Sequence, residues 1–169
     1  YLEDQDFFRL SGIFRDVYLL SRDQDHIQDV SISADCRQIK AEALCRGSVE
    51  VSLYDEDGIL LQRQEGEGPV IFEVEQPRLW TAETPYLYTV IFHRGEEYIP
   101  QKVGMRTVGV SEQGELLING VSVKLKGVNH HDMHPERGYY LTPEDIEKDL
   151  TLMKQFNINC IRTLSLIHI

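Results

Sequence analysis

The run Asn129-His130-His131-Asp132-Met133-His134 puts three histidines and an acid within five residues. A neutral imidazole offers one donor and one acceptor, which suits a sugar hydroxyl that does both. Three readings stay open on these residues alone: loop histidines with no ligand, a contact to sugar, or a metal site. Adjacent His130 and His131 diverge on an extended backbone, and the spacing matches no zincin or zinc-finger pattern, both of which weigh against the metal. Arg162, in Asn159-Cys160-Ile161-Arg162-Thr163, is either a guanidinium that holds a carboxylate in place or half of a surface ion pair. Asp6, beside Phe7-Phe8, reads by default as a solvated or capping acid.

These residues need elements to hold them. Leu125-Lys-Gly-Val-Asn129 reads as a strand leading into the polar histidine loop. Thr142 is an N-cap candidate, with Pro143 at the first helical position and Glu144-Asp145 in the first turn. Ile146, Leu150, Met153 and the run Phe156–Ile158 give an apolar stripe at helical spacing, and Lys154 sits near the helix end. Asn159–Arg162 follows as a second short strand. Strand, loop, helix and strand make one β-α-β unit, the opening of a parallel α/β structure. In a (β/α)8 barrel, functional residues lie at the C-terminal ends of strands, which points to Asn129 to His134 and to Arg162.

The middle of the chain reads differently. Ile27, Val30 and Ile32 begin a strand-forming pattern, and further strands are expected at Ile39–Cys45, Val49–Tyr54, Ile59–Gln64, Val70–Val74, Leu87–His93 and Tyr98–Val103. Val49, Val51 and Leu53 alternate with Glu50, Ser52 and Tyr54, the period of a half-buried strand. Turn signals separate the runs, at Asp55–Gly58, Gly66–Pro69 and Arg94-Gly95. The pattern predicts an antiparallel sandwich of the immunoglobulin-like type. Pro77-Arg-Leu-Trp80-Thr-Ala-Glu-Thr-Pro85-Tyr86-Leu-Tyr88 is framed by prolines that forbid a helix, and its aromatics read as a packed structural corner. Asn119-Gly120, between Glu115–Ile118 and Val121–Lys126, is a two-residue hairpin signal.

The 169 residues are 41% hydrophobic with a net charge of -11, a globular composition with a solvated acidic surface. That charge argues against nucleic acid and anionic membranes as partners. Cys36, Cys45 and Cys160 are an odd number with no C-x-x-C spacing, which suits a reducing compartment and suggests neither a disulfide framework nor a zinc site. No apolar run approaches the roughly 18 residues of a membrane span. A cytoplasmic home is the expectation.

Four segments together resemble the large microbial β-galactosidases of glycoside hydrolase family 2. Glu3-Asp-Gln-Asp6 is similar to the end of the family's first, jelly-roll domain, and Pro77–Tyr88 to a segment of its second domain. Gly127-Val-Asn-His-His131-Asp-Met-His-Pro135 resembles Gly-Val-Asn-Arg-His-Glu-x-His-Pro, and Asn159–Thr163 resembles the first half of Asn-x-x-Arg-Ser/Thr-Ser-His-Tyr-Pro. The resemblance implies three parts: 1–22 as the C-terminal end of a jelly-roll sugar-binding domain, 23–110 as the immunoglobulin-like β-sandwich, and 111–169 as the truncated start of a (β/α)8 catalytic barrel. The fold class is then mainly β with a small α/β part. Residues 23 to 109 are expected to fold alone, with 1–22 and 126–169 open to proteases.

The implied activity of the parent is hydrolysis, with retention, of terminal non-reducing β-D-galactose from β-galactosides such as lactose. By the same resemblance His131 contacts galactosyl hydroxyls with Asn129 beside it, Arg162 supports the nucleophile, and Asp6 binds both sodium and the sugar. Sodium and magnesium ions and a homo-oligomer are implied for the full-length parent. His130 stands where the family has Arg, and Leu164–Ile169 departs from Ser-His-Tyr-Pro and reads as foreign. No acid of this chain sits in a motif matching the family's two catalytic glutamates, so the isolated chain is expected to be inactive. The alternatives are a fragment of a sister β-glucuronidase or β-mannosidase, and a stand-alone sandwich that binds carbohydrate or protein.

Overall fold

The computed structural model describes residues 12–163. Within them Ser21–Val123 form one compact unit, and residues 12–20 with 124–163 form another.

The first unit is the sandwich. Its strands are β1 (Asp29–Ala34), β2 (Gln38–Leu44), β3 (Val49–Tyr54), β4 (Leu60–Gly66), β5 (Val70–Glu73), β6 (Tyr88–Arg94) and β7 (Glu97–Val103). They form two antiparallel sheets, ordered β1-β2-β5 and β4-β3-β6-β7. In a constant-type immunoglobulin the fourth strand joins the first sheet; here β4 pairs with β3 and widens the second. Pro100 is tolerated because β7 is an edge strand.

The alternation that predicts the strands also builds the core. Val49, Val51 and Leu53 of β3 meet Val90 and Phe92 of β6, Ile39 and Ala41 of β2, and Phe72 of β5, all buried. Each such side chain of Val size or larger contributes about 1.5–3 kcal/mol on burial. Ser52 is also buried, on the face where polar residues are expected, and its hydroxyl accepts from Arg63 Nε at 3.1 Å.

The Pro77–Tyr88 segment is a structural corner. Tyr86 and Tyr88 pack edge to face at 4.9 Å, and their hydroxyls accept from the backbone N–H groups of Glu56 and Arg78. Trp80 donates its backbone N–H to Met105 at 2.9 Å, and Arg106 covers its ring.

A small sheet ordered β10-β9-β8 follows, from β8 (Val108–Val110), β9 (Leu116–Ile118) and β10 (Val121–Ser122). Asn119 and Gly120, at φ 53 and 78, form the tight hairpin turn their sequence predicts. Strand β10 stops after two residues, short of the expected Val121–Lys126. The chain leaves the hairpin there because Lys124 and Lys126 are taken up by Asn159 in the other unit's own framework. Strand β8 has no signal in the sequence, being three exposed residues with a central glycine.

The second unit contains β11 (Gly127–His130), helix α1 (Pro143–Gln155) and β12 (Cys160–Thr163), the expected β-α-β unit with β11 and β12 parallel. Thr142 caps the helix reciprocally with Asp145, which stands where a capping box usually has Glu or Gln. The helix ends in a Schellman motif: Ile158 N–H bonds to Met153 and Asn157 N–H to Lys154, with Asn157 at φ 57 in the position glycine usually takes. The apolar stripe is present, but no helix residue is buried. No described helix is long and apolar enough to cross a membrane.

Candidate functional site

The parallel register of β11 and β12 decides which side chains share a face. Val128 lies beside Ile161, Asn129 beside Arg162, and His130 beside Thr163. Side chains in register on parallel strands point to the same side, and successive residues alternate. His130 reaches Asp149 on α1, with Nε2 3.0 Å from Oδ2. The face carrying Val128, His130 and Ile161 is therefore the helix-covered one, and Asn129 and Arg162 stand together on the opposite face. Both are exposed and lie near the C-terminal ends of their strands.

Asn159 sets this register. Its side chain accepts from Lys126 N–H at 2.8 Å and donates to the Lys124 carbonyl at 3.0 Å, while its backbone N–H donates to the Lys126 carbonyl. Gly127 lets the strands close up, since a Cβ there would lie 3.2 Å from the Cys160 carbonyl oxygen. The Asn of Asn-x-x-Arg thus works on the backbone, and the Arg three residues on is placed by it. The sequence places Asn159 in the motif but assigns it no role, although its fixed offset from Arg162 is a usable signal.

The loop after β11 is built on itself. His134 and Gly138 exchange two backbone hydrogen bonds, at 2.7 and 3.0 Å. The His134 ring folds into that turn, its Nδ1 accepting from Glu136 and Arg137 N–H groups at 3.1 and 3.2 Å. Nδ1 is therefore the unprotonated nitrogen, and Nε2 faces Asp145 at 3.9 Å. Arg137 pairs with the same Asp145. Asp145 is held below the ordinary carboxylate range, first by the backbone hydrogen bond from Thr142 and then by the Thr142 hydroxyl, Arg137 and His134. His134 is thereby occupied in structure. His131 is half-buried just after the strand end.

Residues 12–20 belong to the same unit. Phe14 packs on Tyr139 with ring centroids 5.6 Å apart, and Arg15 lies 3.9 Å from Asp132. The segment that follows Asp6 in sequence is thus anchored to the histidine loop. Asp6 itself and the tail 164–169 lie outside the described residues. Among the described residues, no group of three or more His, Cys, Asp or Glu side chains is arranged to hold a metal ion. Cys36, Cys45 and Cys160 are free thiols.

Residues 13–106 match the model of glycosyl hydrolases family 2, and residues 108–165 match the TIM barrel domain of that family. The chain belongs to glycosyl hydrolase family 2. It is 46% identical over 172 residues to a β-galactosidase of Actinobacillus pleuropneumoniae and 43% identical over 172 residues to one of Staphylococcus xylosus. Each match takes in 96% of this chain and 17% of the relative, so the chain is a fragment's length of these enzymes. Among solved structures it is similar to a Faecalibacterium prausnitzii β-glucuronidase, with TM-score 0.76 and 25% identity over 83% of this chain and 24% of that one. A Ruminococcus gnavus β-glucuronidase matches with TM-score 0.74 and 27% identity, over 82% of this chain and 25% of that one. The family sandwich and the start of its barrel are the fold the sequence predicts.

Proposed function

We propose that this chain is the sandwich and first barrel unit of a retaining glycosidase that removes terminal β-D-galactose from β-galactosides such as lactose. The observation that carries the reading is the pairing of Asn129 with Arg162 on the face away from α1, with His131 directly after the strand end. In a barrel that face lines the interior and the strand ends form the mouth. His131 and Asn129 each supply a donor and an acceptor for sugar hydroxyls. Arg162 supplies a fixed cation to orient a carboxylate nucleophile. The two carboxyl groups of the retaining mechanism, about 5 Å apart, would come from elsewhere in the barrel. Identities of 43–46% to β-galactosidases favour galactose as the sugar.

Sodium held through Asp6, and magnesium, are the ions we assign to the complete protein, since hard cations take oxygen ligands. A homo-oligomer is the assembly we assign to it. A second reading, β-glucuronidase, draws on the similar solved structures and on Arg162, a cation a uronic carboxylate would also use. In the complete protein, His131→Ala and Arg162→Ala should each lower kcat/KM for nitrophenyl β-D-galactoside by about 100-fold or more. Wild-type kcat/KM in both variants would remove these residues from the site.

A further inference from the structure

The contact that the galactosidase reading leaves unused is His130, whose imidazole sits between two carboxylates. Nε2 is 3.0 Å from Asp149 Oδ2 on α1, and Nδ1 is 3.4 Å from Asp132 Oδ1 in the loop. The ring is 15% exposed, while both acids are nearly half exposed and open to water. We propose that His130 is a positioning residue, a proton-dependent latch that ties the loop carrying His131 to helix α1. This rests on the reading of Asn129 and His131 as sugar contacts.

An ionised carboxylate only accepts, so both contacts are satisfied together only when both ring nitrogens carry protons. A neutral imidazole has a single N–H and must leave one acid facing a lone pair. The longer contact, to Asp132, is the one given up. Asp132 directly follows His131, so its release loosens the loop at the residue that meets the sugar. Among the described residues, the charged groups around the ring are Asp149 from α1, Asp132 from the loop, and Arg15, which lies 3.9 Å from the other oxygen of Asp132. From β12 the neighbour in register is Thr163, which does not titrate in this range. Arginine at this position would keep its charge at every working pH and carry enough donors for both acids. Histidine makes the same bridge conditional, because only its protonated ring carries two donors.

The test uses the complete protein containing this segment, as wild type, His130→Arg and His130→Gln. Two readouts are taken across about pH 5.5 to 8.5: kcat/KM for nitrophenyl β-D-galactoside, and hydrogen exchange of a peptide spanning 131–138, corrected for intrinsic rate. The latch predicts that wild type loses both loop protection and kcat/KM on the alkaline side relative to His130→Arg. It also predicts that His130→Gln is lower than wild type by about tenfold in kcat/KM on the acid side. Superimposable wild-type and His130→Arg profiles in both readouts would overturn it, and that comparison decides the matter even if His130→Gln fails to fold. If wild type cleaves no galactoside, the functional reading fails, and the exchange profile still decides the latch.

Discussion

At the scale of single residues, the site is organised by side chains that hold backbone in place. Asn159 is the clearest case, because its amide completes the two backbone groups that fix β11 beside β12. Asn159→Ala should cost about 1–3 kcal/mol through the Lys126 N–H and Lys124 carbonyl left without it. The measurement is a urea melt of the complete protein, and kcat/KM should fall with it because Arg162 loses its register. Gly127, Asn129 and Arg162 were legible as motif residues, since their types and offsets lie within a few positions. The bridge from His130 to Asp149 was not legible, because it joins residues 19 apart that only the folded loop and helix bring together. One signal was available: Asp145 and Asp149 lie four apart and so share a helix face, where like charges repel and a cationic partner is stabilising.

At the scale of elements, α1 is stabilised at its ends more than by its flanks. Thr142 and Asp145 cap its start, and Ile158 and Asn157 close its end. Thr142→Ala should weaken the helix by about 1 kcal/mol, seen as faster hydrogen exchange over its first turns. The cap also carries a pH dependence. Asp145 has its folded pKa lowered from the ordinary 3.8, so the unfolded chain binds its proton first as pH falls. Its stabilisation is therefore complete above about pH 4 to 5 and is lost as pH drops through the depressed folded value. Replacing Asp145 with Asn should flatten helix stability across that acid window. The sandwich strands were legible because their apolar positions alternate around one buried core. Strand β8 was not, because Val108 and Val110 remain exposed and the strand exists by pairing with β9.

At the scale of the whole molecule, the two units differ in how completely their apolar surface is covered. Residues 21–123 enclose a core whose central side chains are fully buried. In the other unit Ile13, Val17, Tyr18 and Leu19 are about 80% exposed or more, and Leu150 and Leu152 of α1 and Phe156 at its C-cap are exposed as well. Large apolar side chains exposed in such number mark faces made to be covered. That agrees with a chain spanning 17% of the length of its β-galactosidase relatives. The family and its sandwich were legible from short motifs, whereas substrate choice depends on side chains that meet around a complete barrel mouth. The most direct measurement is therefore the stereochemistry and sugar preference of the complete protein, followed by NMR of the released sugar from matched nitrophenyl β-D-galactoside and β-D-glucuronide. A retaining galactosidase releases β-galactose as the first-formed anomer, with the glucuronide turned over poorly or not at all. Preferred cleavage of the glucuronide, or first release of α-galactose, would contradict the galactosidase reading.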